Sequence, residues 1–318
     1  MVTIYIAHQG RSSYLHSCIK SAISSNNNVV YIGDCDYVSS LINSEDMYSP
    51  LEIDDSRFME FCSIWTNLSF NQHEFELGCF RRFFYIYEIA KKRGDLEFWM
   101  CDSDVLIFQD LEIIMQFIRN NGFECALSSP MSDKPYFWAS SPHCSFWTLK
   151  SLGEFLKFME ETYRVGRQDL LLKFQHHEIN NQPGGVCDMT LLNLWLNKKN
   201  IKVLNLCRLN GFNLFIDHNM NSTSNFFDDS DEFLIEPFLK IKKIICKAGH
   251  PHVVEIGGKK IKVLALHFQG GAKKYMQRVR QVKSTSPLLF FDILLINCIK
   301  FCLKRVFKII HKLKIKVT

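Results

Sequence analysis

The sequence has no pair of cysteines spaced as Cys-x-x-Cys, although its 318 residues include 12 cysteines. Without that spacing, zinc-ribbon sites and redox-active dithiols are excluded, and buried reduced thiols are expected instead. The opening residues MVTIYIAHQG contain no basic stretch followed by a long apolar core, so no secretory signal is expected there. Reduced thiols without an export signal predict a cytoplasmic protein.

The chain also lacks an uninterrupted apolar run of the roughly 20 residues needed to cross a bilayer, and it has no internal repeat or low-complexity linker.

Acidic residues are scarce in the C-terminal part of the sequence. From Lys240 onward there are 19 Lys/Arg and two acids, whereas the first 239 residues carry 19 basic and 31 acidic residues. This asymmetry predicts that the C-terminal third meets something anionic, which leaves phosphate-bearing substrates, acidic lipid and nucleic acid as candidates.

A boundary is predicted at Pro287, which divides the chain into a folded domain, 1–286, and a tail, 287–318. In the tail, polar and basic residues recur at three- and four-residue steps, and bulky apolar residues cover the other side. The polar set is Asn297, Lys300, Lys304, Lys308 and His311. This pattern predicts a basic amphipathic helix on an anionic membrane surface; the alternative is a helix docked on the body of the protein.

The first 36 residues alternate between strand-like and helical patterns, in the segments VTIYIAH, YLHSCIKSAISS and NVVYIGDCD. Strand, helix and strand over this length predict a βαβ unit, and therefore an α/β fold with a mostly parallel sheet flanked by helices. Ligands of such sheets bind beyond the carboxyl ends of the strands. His8, Gln9, Asp34 and Asp36 are therefore expected near a binding site.

Helical patterns occupy much of the middle of the chain. Residues 76–95 are predicted to form a helix that stops at Gly94 and leads into a strand ending at Asp102. A helix over 151–165 is predicted to be capped by Ser151. The adjacent pair His176-His177 could suggest a metal site, but neighbouring residues of an extended segment point apart. We therefore predict a solvated polar loop there.

Residues 98–108, FWMCDSDVLIF, place Asp102 and Asp104 among apolar residues. Burying a carboxylate costs several kcal/mol unless a cation, a proton or hydrogen-bond donors compensate it. Alternate residues of a strand share a face, so both carboxylates are expected to project together at the end of the strand. Such a pair suits Mg²⁺ or Mn²⁺; the alternative is a capping acid with a solvated neighbour.

A second candidate segment is LHFQGGAKKYM at 266–276, in which a histidine at a strand end precedes two glycines and two lysines. The nitrogen of His267 is a reasonable ligand for Mn²⁺. Gly270 and Gly271 let backbone N–H groups approach a phosphate closely, and Lys273 adds a positive charge. The alternative is a structural histidine followed by a plain turn.

Together these segments resemble the GT-A-fold glycosyltransferases that use nucleotide-sugar donors, in particular the retaining enzymes of bacterial lipopolysaccharide and capsular polysaccharide assembly. Asp102-Ser103-Asp104 resembles the Asp-x-Asp motif of that fold, and HFQGGAKKY is similar to its late His-x-x-Gly-x-x-Lys segment. RFFYIYEIA at 82–90 is similar to the helix before the metal-binding strand. GGVCDMTLLNLWL at 184–196 resembles the segment near the sugar and the acceptor.

The resemblance implies a role for each matching residue. Asp102, Asp104 and His267 would bind the metal, and Lys273 with Gly270 and Gly271 would meet the diphosphate. Arg82, with Arg81 as the alternative, would reach the donor. Ala7 and His8 would face the base, and Asp34 is a candidate for the ribose or base. Gly185 and Asp188 would lie near the sugar and acceptor. Cys187-Asp188-Met189-Thr190 departs from the acid-Gln-acid pattern often found there, so Asp188 is either a catalytic residue or a helix N-cap.

The function implied is sugar transfer from a nucleotide-diphosphate donor, with a UDP-sugar favoured, to a glycan or glycolipid acceptor. The enzyme would need Mn²⁺ or Mg²⁺, act with retention, and serve lipopolysaccharide, O-antigen or capsule synthesis. It would lie on the cytoplasmic face of the inner membrane and would not bind nucleic acid. The alternative is a noncatalytic protein whose basic C-terminal third binds membrane or nucleic acid.

Overall fold

The computed structural model describes residues 1–130, 134–199, 201–209, 211–226, 230–237 and 239–281. In these residues, helices α1 to α9 are Ser13–Ser24, Cys35–Val38, Ser56–Ile64, His73–Arg93, Glu112–Asn120, Leu149–Arg164, Gln168–Ile179, Asp188–Lys199 and Met276–Gln281. Strands β1 to β14 are Thr3–Ala7, Asn28–Ile32, Met47–Tyr48, Glu97–Cys101, Val105–Ile107, Cys125–Ser128, Ser141–Thr148, Val203–Asn205, Leu214–Ile216, Ile235–Glu236, Ile241–Lys242, Ile244–Lys247, His250–Val254 and Lys260–His267.

A seven-stranded sheet is the centre of the described structure, in the order β3-β2-β1-β4-β7-β6-β8. Strands β3, β2, β1 and β4 run parallel, and β7 is antiparallel to both of its neighbours. Strand β8 runs parallel to β6. The predicted α/β class, with a mixed and mostly parallel sheet flanked by helices, is therefore confirmed. The parallel arrangement places the carboxyl ends of β1, β2 and β4 at one edge of the sheet.

The main sheet is buried on both faces because its strands alternate between two apolar clusters. In β1, Ile4 and Ile6 pack on one side, while Tyr5 packs on the other. In β4, Trp99 shares the first cluster and Phe98 the second. Two buried faces explain why these strands are apolar runs without polar alternation, a pattern typical of parallel sheets covered by helices.

A second sheet lies beside the edge where the residues singled out from the sequence lie. It has the order β12-β13-β14-β5, with β9 parallel to β14. Strand β14 is antiparallel to β5, and their register places His267 opposite Val105. Because Asp104 directly precedes Val105, this pairing brings His267 beside Asp104, although about 160 residues separate them in sequence.

The helix before the segment that contains Asp102 and Asp104 is close to the sequence prediction. Helix α4 spans His73–Arg93 and ends at Gly94, whose φ of 76° is left-handed. Glycine adopts this conformation without the steric cost that a side chain would add, so it ends the helix sharply. The chain then enters β4 at Glu97, and β4 ends at Cys101, directly before Asp102.

Two local predictions were wrong. Helix α6 begins at Leu149, and its N-cap is Thr148, whose Oγ1 accepts a hydrogen bond from Ser151 N at 3.0 Å. Ser151 Oγ in turn accepts from Thr148 N at 3.1 Å, so Ser151 is the third helical residue of a capping box. His176 and His177 belong to helix α7, which docks on the body of the protein through the buried Leu170 and the partly buried Phe174.

None of the helices in the described part of the chain is both long enough and apolar enough to span a bilayer. The predicted tail, 287–318, lies outside the described residues. The boundary at Pro287 and the membrane-binding helix after it therefore stay predictions.

Candidate active site

A cavity of about 1320 Å³ opens where the carboxyl ends of β1, β2 and β4 meet. Most of the residues singled out from the sequence line it: Ala7, His8, Gln9, Asp34, Asp36, Arg81, Arg82, Asp102, Asp104, Asp188, His267, Gly270 and Lys273. Gly185 and Gly271 lie outside this lining. The fold thus collects side chains from widely separated segments into one concave site, the usual position for ligands of α/β sheets.

Asp102 and Asp104 lie in the short turn by which the chain passes from the main sheet to the second sheet. Asp102 N donates a hydrogen bond to His143 O at 2.8 Å, and Val105 N donates to Asp102 O at 3.2 Å. Phe268 N donates to Asp104 O at 2.9 Å. Backbone contacts on both sides therefore fix the turn, which holds the two carboxylates in place at the cavity.

Asp104 is 8% exposed and lies between His267 and Lys273. Its Oδ1 lies 3.3 Å from His267 Nε2, and its Oδ2 lies 3.0 Å from Lys273 Nζ. Burial alone would raise the pKa of Asp104, but His267 and Lys273 outweigh burial and hold this pKa well below its usual range. The carboxylate is therefore ionised at neutral pH.

His267 is oriented by its backbone neighbours. Its Nδ1 lies 2.6 Å from His218 O, and since a carbonyl only accepts, Nδ1 is the donor. In the neutral ring this leaves the lone pair on Nε2, the atom that faces Asp104. Such a hydrogen bond is the usual way in which proteins present a histidine nitrogen to a metal. Burial opposes charge on His267, yet Asp104 raises its pKa above the usual value.

The ring of His143 stacks on His267, with centroids 4.4 Å apart and planes within 5°. Although these two rings and His218 form a three-histidine group, His143 already makes two contacts of its own. Its Nε2 lies 2.8 Å from Asp217 O and its Nδ1 lies 2.9 Å from Ser141 Oγ. Burial lowers the pKa of His143 well below its usual value. We therefore interpret His143 as a neutral support for His267.

A fully buried ion pair lies behind His267. Lys242 Nζ is 2.8 Å from Asp217 Oδ1 and donates to Asn219 O at 2.6 Å. The other oxygen, Asp217 Oδ2, accepts from His267 N at 3.3 Å. The pair therefore ties the end of β14 to the segment that supplies the His218 carbonyl.

Arg82 bridges two acids of the cavity. Its guanidinium donates through Nη1 to Asp102 and through Nη2 to Asp188, which is 4% exposed at the start of α8. Burial raises the pKa of Asp102, and Arg82 partly offsets this effect. Arg81, the alternative, instead lies 5.0 Å over the ring of Phe58. Of the two arginines, Arg82 is the one that contacts the acids.

At the end of β1, Ala7 and His8 form another part of the cavity. His8 Nδ1 shares a 2.8 Å hydrogen bond with Ser103 Oγ, so the residue between the two aspartates is tied to β1. Burial and the charge of Lys273 lower the pKa of His8, which is therefore neutral. Its Nε2 is buried without a partner among the described residues. At the rim, Asp34 Oδ2 lies 2.5 Å from Arg11 Nε.

Residues 184–186, which include Gly184 and Gly185, pair through their backbone with the loop before α4. Gly185 pairs with Ser69 in an isolated bridge, and Val186 N donates to Leu68 O at 2.8 Å. Gly185 has φ 127°, and a Cβ there would lie 2.5 Å from Leu68 O. Both the backbone conformation and the close approach therefore require glycine.

Gly185→Ala is expected to lower the free energy of unfolding by about 2–5 kcal/mol, from backbone strain plus overpacking. Gly184→Ala is the matched control, because Gly184 has φ 90° but a Cβ added there would meet nothing within 4 Å. It should cost only about 1–2 kcal/mol of backbone strain. Urea unfolding measures both variants, and equal losses would contradict the close approach at Gly185.

Several residues of the site were not identified from the sequence. Glu76 lines the cavity although its position in the first turn of α4 reads as an ordinary favourable helix acid. The ion pair of Asp217 and Lys242 and the stacking by His143 depend on strand pairings that no local pattern reveals. The sequence feature that could have identified Glu76 is its place in a series of three-residue steps, Glu76, Cys79 and Arg82, all of which line the cavity.

Asp102, Asp104 and His267 fit a divalent cation. Their ligand atoms all lie within 4.8 Å of one another, and two carboxylates with one imidazole suit Mn²⁺ or Mg²⁺. The His218 carbonyl accepts from Nδ1 of His267 and so leaves Nε2 of the neutral ring as the atom that could bind the cation. The chain also supplies its own counter-charges, since Arg82 pairs with Asp102 and Lys273 with Asp104. Burial of the two aspartates therefore does not by itself require a metal.

No protein-family model matches the sequence, and no curated protein matches it. Among solved structures, mouse xyloside xylosyltransferase 1 in its apo form is similar, with 9% identity, TM-score 0.41 and coverage of 65% of this chain and 85% of that one. A glycosyltransferase involved in the glycosylation of the major capsid of PBCV-1 has 14% identity, TM-score 0.29 and coverage of 56% and 73%. The apo bifunctional glycosyltransferase WbbM has 13% identity, TM-score 0.45 and coverage of 91% of this chain.

This chain spans 50% of the length of WbbM. These three similar structures are all glycosyltransferases. At these identities and TM-scores the similarity assigns no family, substrate or mechanism to this chain.

Proposed function

We propose that this protein is a metal-dependent glycosyltransferase that moves a sugar from a nucleotide-diphosphate donor to a hydroxyl group of a glycan or glycolipid. The observation that carries the proposal is the composition of one cavity. Three ligands for a divalent cation, Asp102, Asp104 and His267, lie there beside two fixed cations, Arg82 and Lys273. This arrangement suits a diphosphate leaving group better than a neutral ligand.

The reaction breaks the bond between the anomeric carbon and a diphosphate oxygen, on which negative charge grows. When bound, Mn²⁺ or Mg²⁺ supplies Lewis-acid stabilisation of that charge. Lys273, half-buried and 3.0 Å from Asp104, is placed to exchange this contact for a phosphate oxygen. Arg82 adds a second positive charge and fixes Asp102 and Asp188 relative to each other. Asp188 is the candidate that positions the acceptor hydroxyl or assists at the sugar.

The nucleoside would occupy the side of the cavity formed by the ends of β1 and β2. Ala7 and His8 are candidates for contacts with the base, since neutral His8 keeps Nε2 without a partner among the described residues. Asp34 lies at the rim, where a ribose hydroxyl could replace Arg11 as its partner. Gly270 lines the cavity and Gly271 follows it, so their backbone is a candidate for diphosphate contacts.

We further propose a UDP-sugar as donor, retention at the anomeric carbon, and a role in bacterial lipopolysaccharide, O-antigen or capsule synthesis. The four sequence segments that resemble such enzymes support these points. The basic tail, 287–318, supports attachment to the cytoplasmic face of the inner membrane by anionic lipid, with no nucleic-acid partner.

A thermal-shift screen tests the proposal directly. The protein is melted with UDP-glucose, UDP-galactose, UDP-N-acetylglucosamine and the corresponding GDP-sugars, each with Mn²⁺, with Mg²⁺ or with EDTA. A donor at about 100 times its Kd should stabilise the folded state by about 2.7 kcal/mol, which raises Tm by several degrees. The rise should require Mn²⁺ or Mg²⁺. If every nucleotide sugar leaves Tm unchanged with both metals, the proposed function is wrong.

A further inference from the structure

We infer that Glu76, held by Ser69 and Asn71, forms a subsite that accepts a hydrogen bond from a sugar hydroxyl. The inference rests on the proposed function and adds to it the residue that recognises the carbohydrate. Glu76 is 1% exposed and lines the same cavity as the metal-binding residues. None of the roles proposed above uses it.

The position of Glu76 places the subsite beyond the diphosphate. Glu76, Cys79 and Arg82 follow one another at three-residue steps on α4, and all three line the cavity. Six residues of α-helix correspond to about 9 Å along the axis. With the nucleoside side at β1 and β2 and the diphosphate side at Arg82 and Lys273, the sugar would extend toward Glu76.

The hydrogen bonds of Glu76 leave one of its oxygens without a partner among the described residues. Ser69 Oγ donates to Oε1 at 2.8 Å, and Asn71 Nδ2 donates to the same atom at 2.7 Å. Oε2 is buried and has no partner among the described residues. Two donors on one oxygen fix the orientation of the carboxyl group, and a buried acceptor without a donor is unfavourable until a ligand supplies one.

The charge of the surroundings favours a hydroxyl over an anion. An ionised carboxylate only accepts hydrogen bonds, and the field of Asp188 reaches Glu76 as a further negative charge. Both features disfavour phosphate or carboxylate ligands there. Burial raises the pKa of Glu76 above its usual value, and the donors Asn71 and Ser69 offset this effect only in part. A hydroxyl that donates to Oε2 would favour the ionised form as these two donors do.

The ligand that would donate a hydrogen bond to Glu76 is a neutral polyol. It is either the transferred sugar of the donor or the acceptor sugar. Glu76→Gln separates this role from a structural one. The amide oxygen of glutamine can keep both loop contacts, so the change replaces only the available acceptor with an NH₂ donor. Glu88→Gln is the matched control, because Glu88 is on the same helix, outside the cavity lining, and pairs with Lys91.

The experiment compares wild type, Glu76→Gln and Glu88→Gln by calorimetry with Mn²⁺, using UDP and the nucleotide sugar that the wild type binds best. Transfer to octyl β-D-glucoside and octyl β-D-galactoside is measured in parallel. If Glu76 contacts the transferred sugar, Glu76→Gln weakens nucleotide-sugar binding at least tenfold and leaves UDP binding unchanged. If it contacts the acceptor, both affinities are unchanged and KM for the glycoside rises at least tenfold.

Two results would overturn the inference. One is a Glu76→Gln variant that matches the wild type in every readout, whether or not the enzyme accepts the octyl glycosides as acceptors. The other is an equal loss of UDP and nucleotide-sugar binding with a lowered Tm, which would show a structural role. A wild type that binds no nucleotide sugar would instead show that the proposed function is wrong, so the two failures are distinct.

Discussion

Asp104→Asn is expected to lower the rate of sugar transfer by at least about 10²–10³-fold, the loss typical of removing one strong electrostatic contact from a transition state. The substitution keeps the shape of the side chain but removes the charge that His267 and Lys273 face at 3.3 and 3.0 Å. The Lys273 cation then lies beside a neutral amide, and one of the three candidate metal ligands loses its negative charge. Both effects weaken the site for a divalent cation.

The measurement is the initial rate of UDP release at saturating donor and Mn²⁺, together with the Mn²⁺ concentration that gives half of the nucleotide-induced rise in Tm. Asp110→Asn is the control, because Asp110 follows β5 outside the cavity and its Oδ1 accepts from Glu112 N, a contact that asparagine retains. The control should keep the wild-type rate. An Asp104→Asn variant within threefold of wild type would show that Asp104 binds no catalytic metal.

Arg82→Met is expected to lower the free energy of unfolding by about 3–5 kcal/mol, the usual cost of removing one partner from a buried ion pair. The Arg82 side chain is 16% exposed and bonds both Asp102 and Asp188. Without it, two nearby carboxylates share a poorly solvated pocket with no common counter-charge. Urea unfolding without added metal measures the loss.

A surface arginine provides the matched control for this effect. Arg119 also bridges two acids, Glu97 at 2.8 Å and Glu112 at 3.0 Å, but its side chain is 49% exposed. Arg119→Met should therefore cost less than about 1 kcal/mol. Combining Arg82→Met with Asp102→Asn and Asp188→Asn should recover most of the stability, since no unpaired charge is left. If the triple variant is as unstable as Arg82→Met alone, the loss comes from packing.

The sequence predicts the parts of the fold that depend on local patterns. The apolar runs of β1 and β4 and the glycine that ends α4 are readable because burial and backbone conformation act within a few residues. The position of Asp102 at the end of a strand follows from the same local reasoning, and so does that of His267 at the end of β14. The turn that contains both aspartates was not predicted, because the sequence pattern indicated one face of a continuing strand. The register that joins β14 to β5 is not local, and it alone decides that His267 meets Asp104.

The residues that the sequence could not place depend on contacts between distant segments. Asp188 reads equally well as a helix cap or as a site residue, and only the position of Arg82 shows that its carboxylate faces the cavity. From the sequence, Glu76 is an ordinary acidic residue favoured by the helix dipole in the first turn of α4. Only the structure shows that Ser69 donates a hydrogen bond to one of its oxygens. Lys242 looks like one basic residue among many, yet it is fully buried against Asp217.

The pairing of β5 with β14 also sets the time at which the site forms during translation. Asp104 leaves the ribosome about 160 residues before His267 does. At 5–20 residues per second, roughly 8–30 s pass before the third candidate metal ligand is synthesised. A growing chain therefore carries the two aspartates without their histidine while about 160 further residues are added, and the three candidate metal ligands can meet only after that.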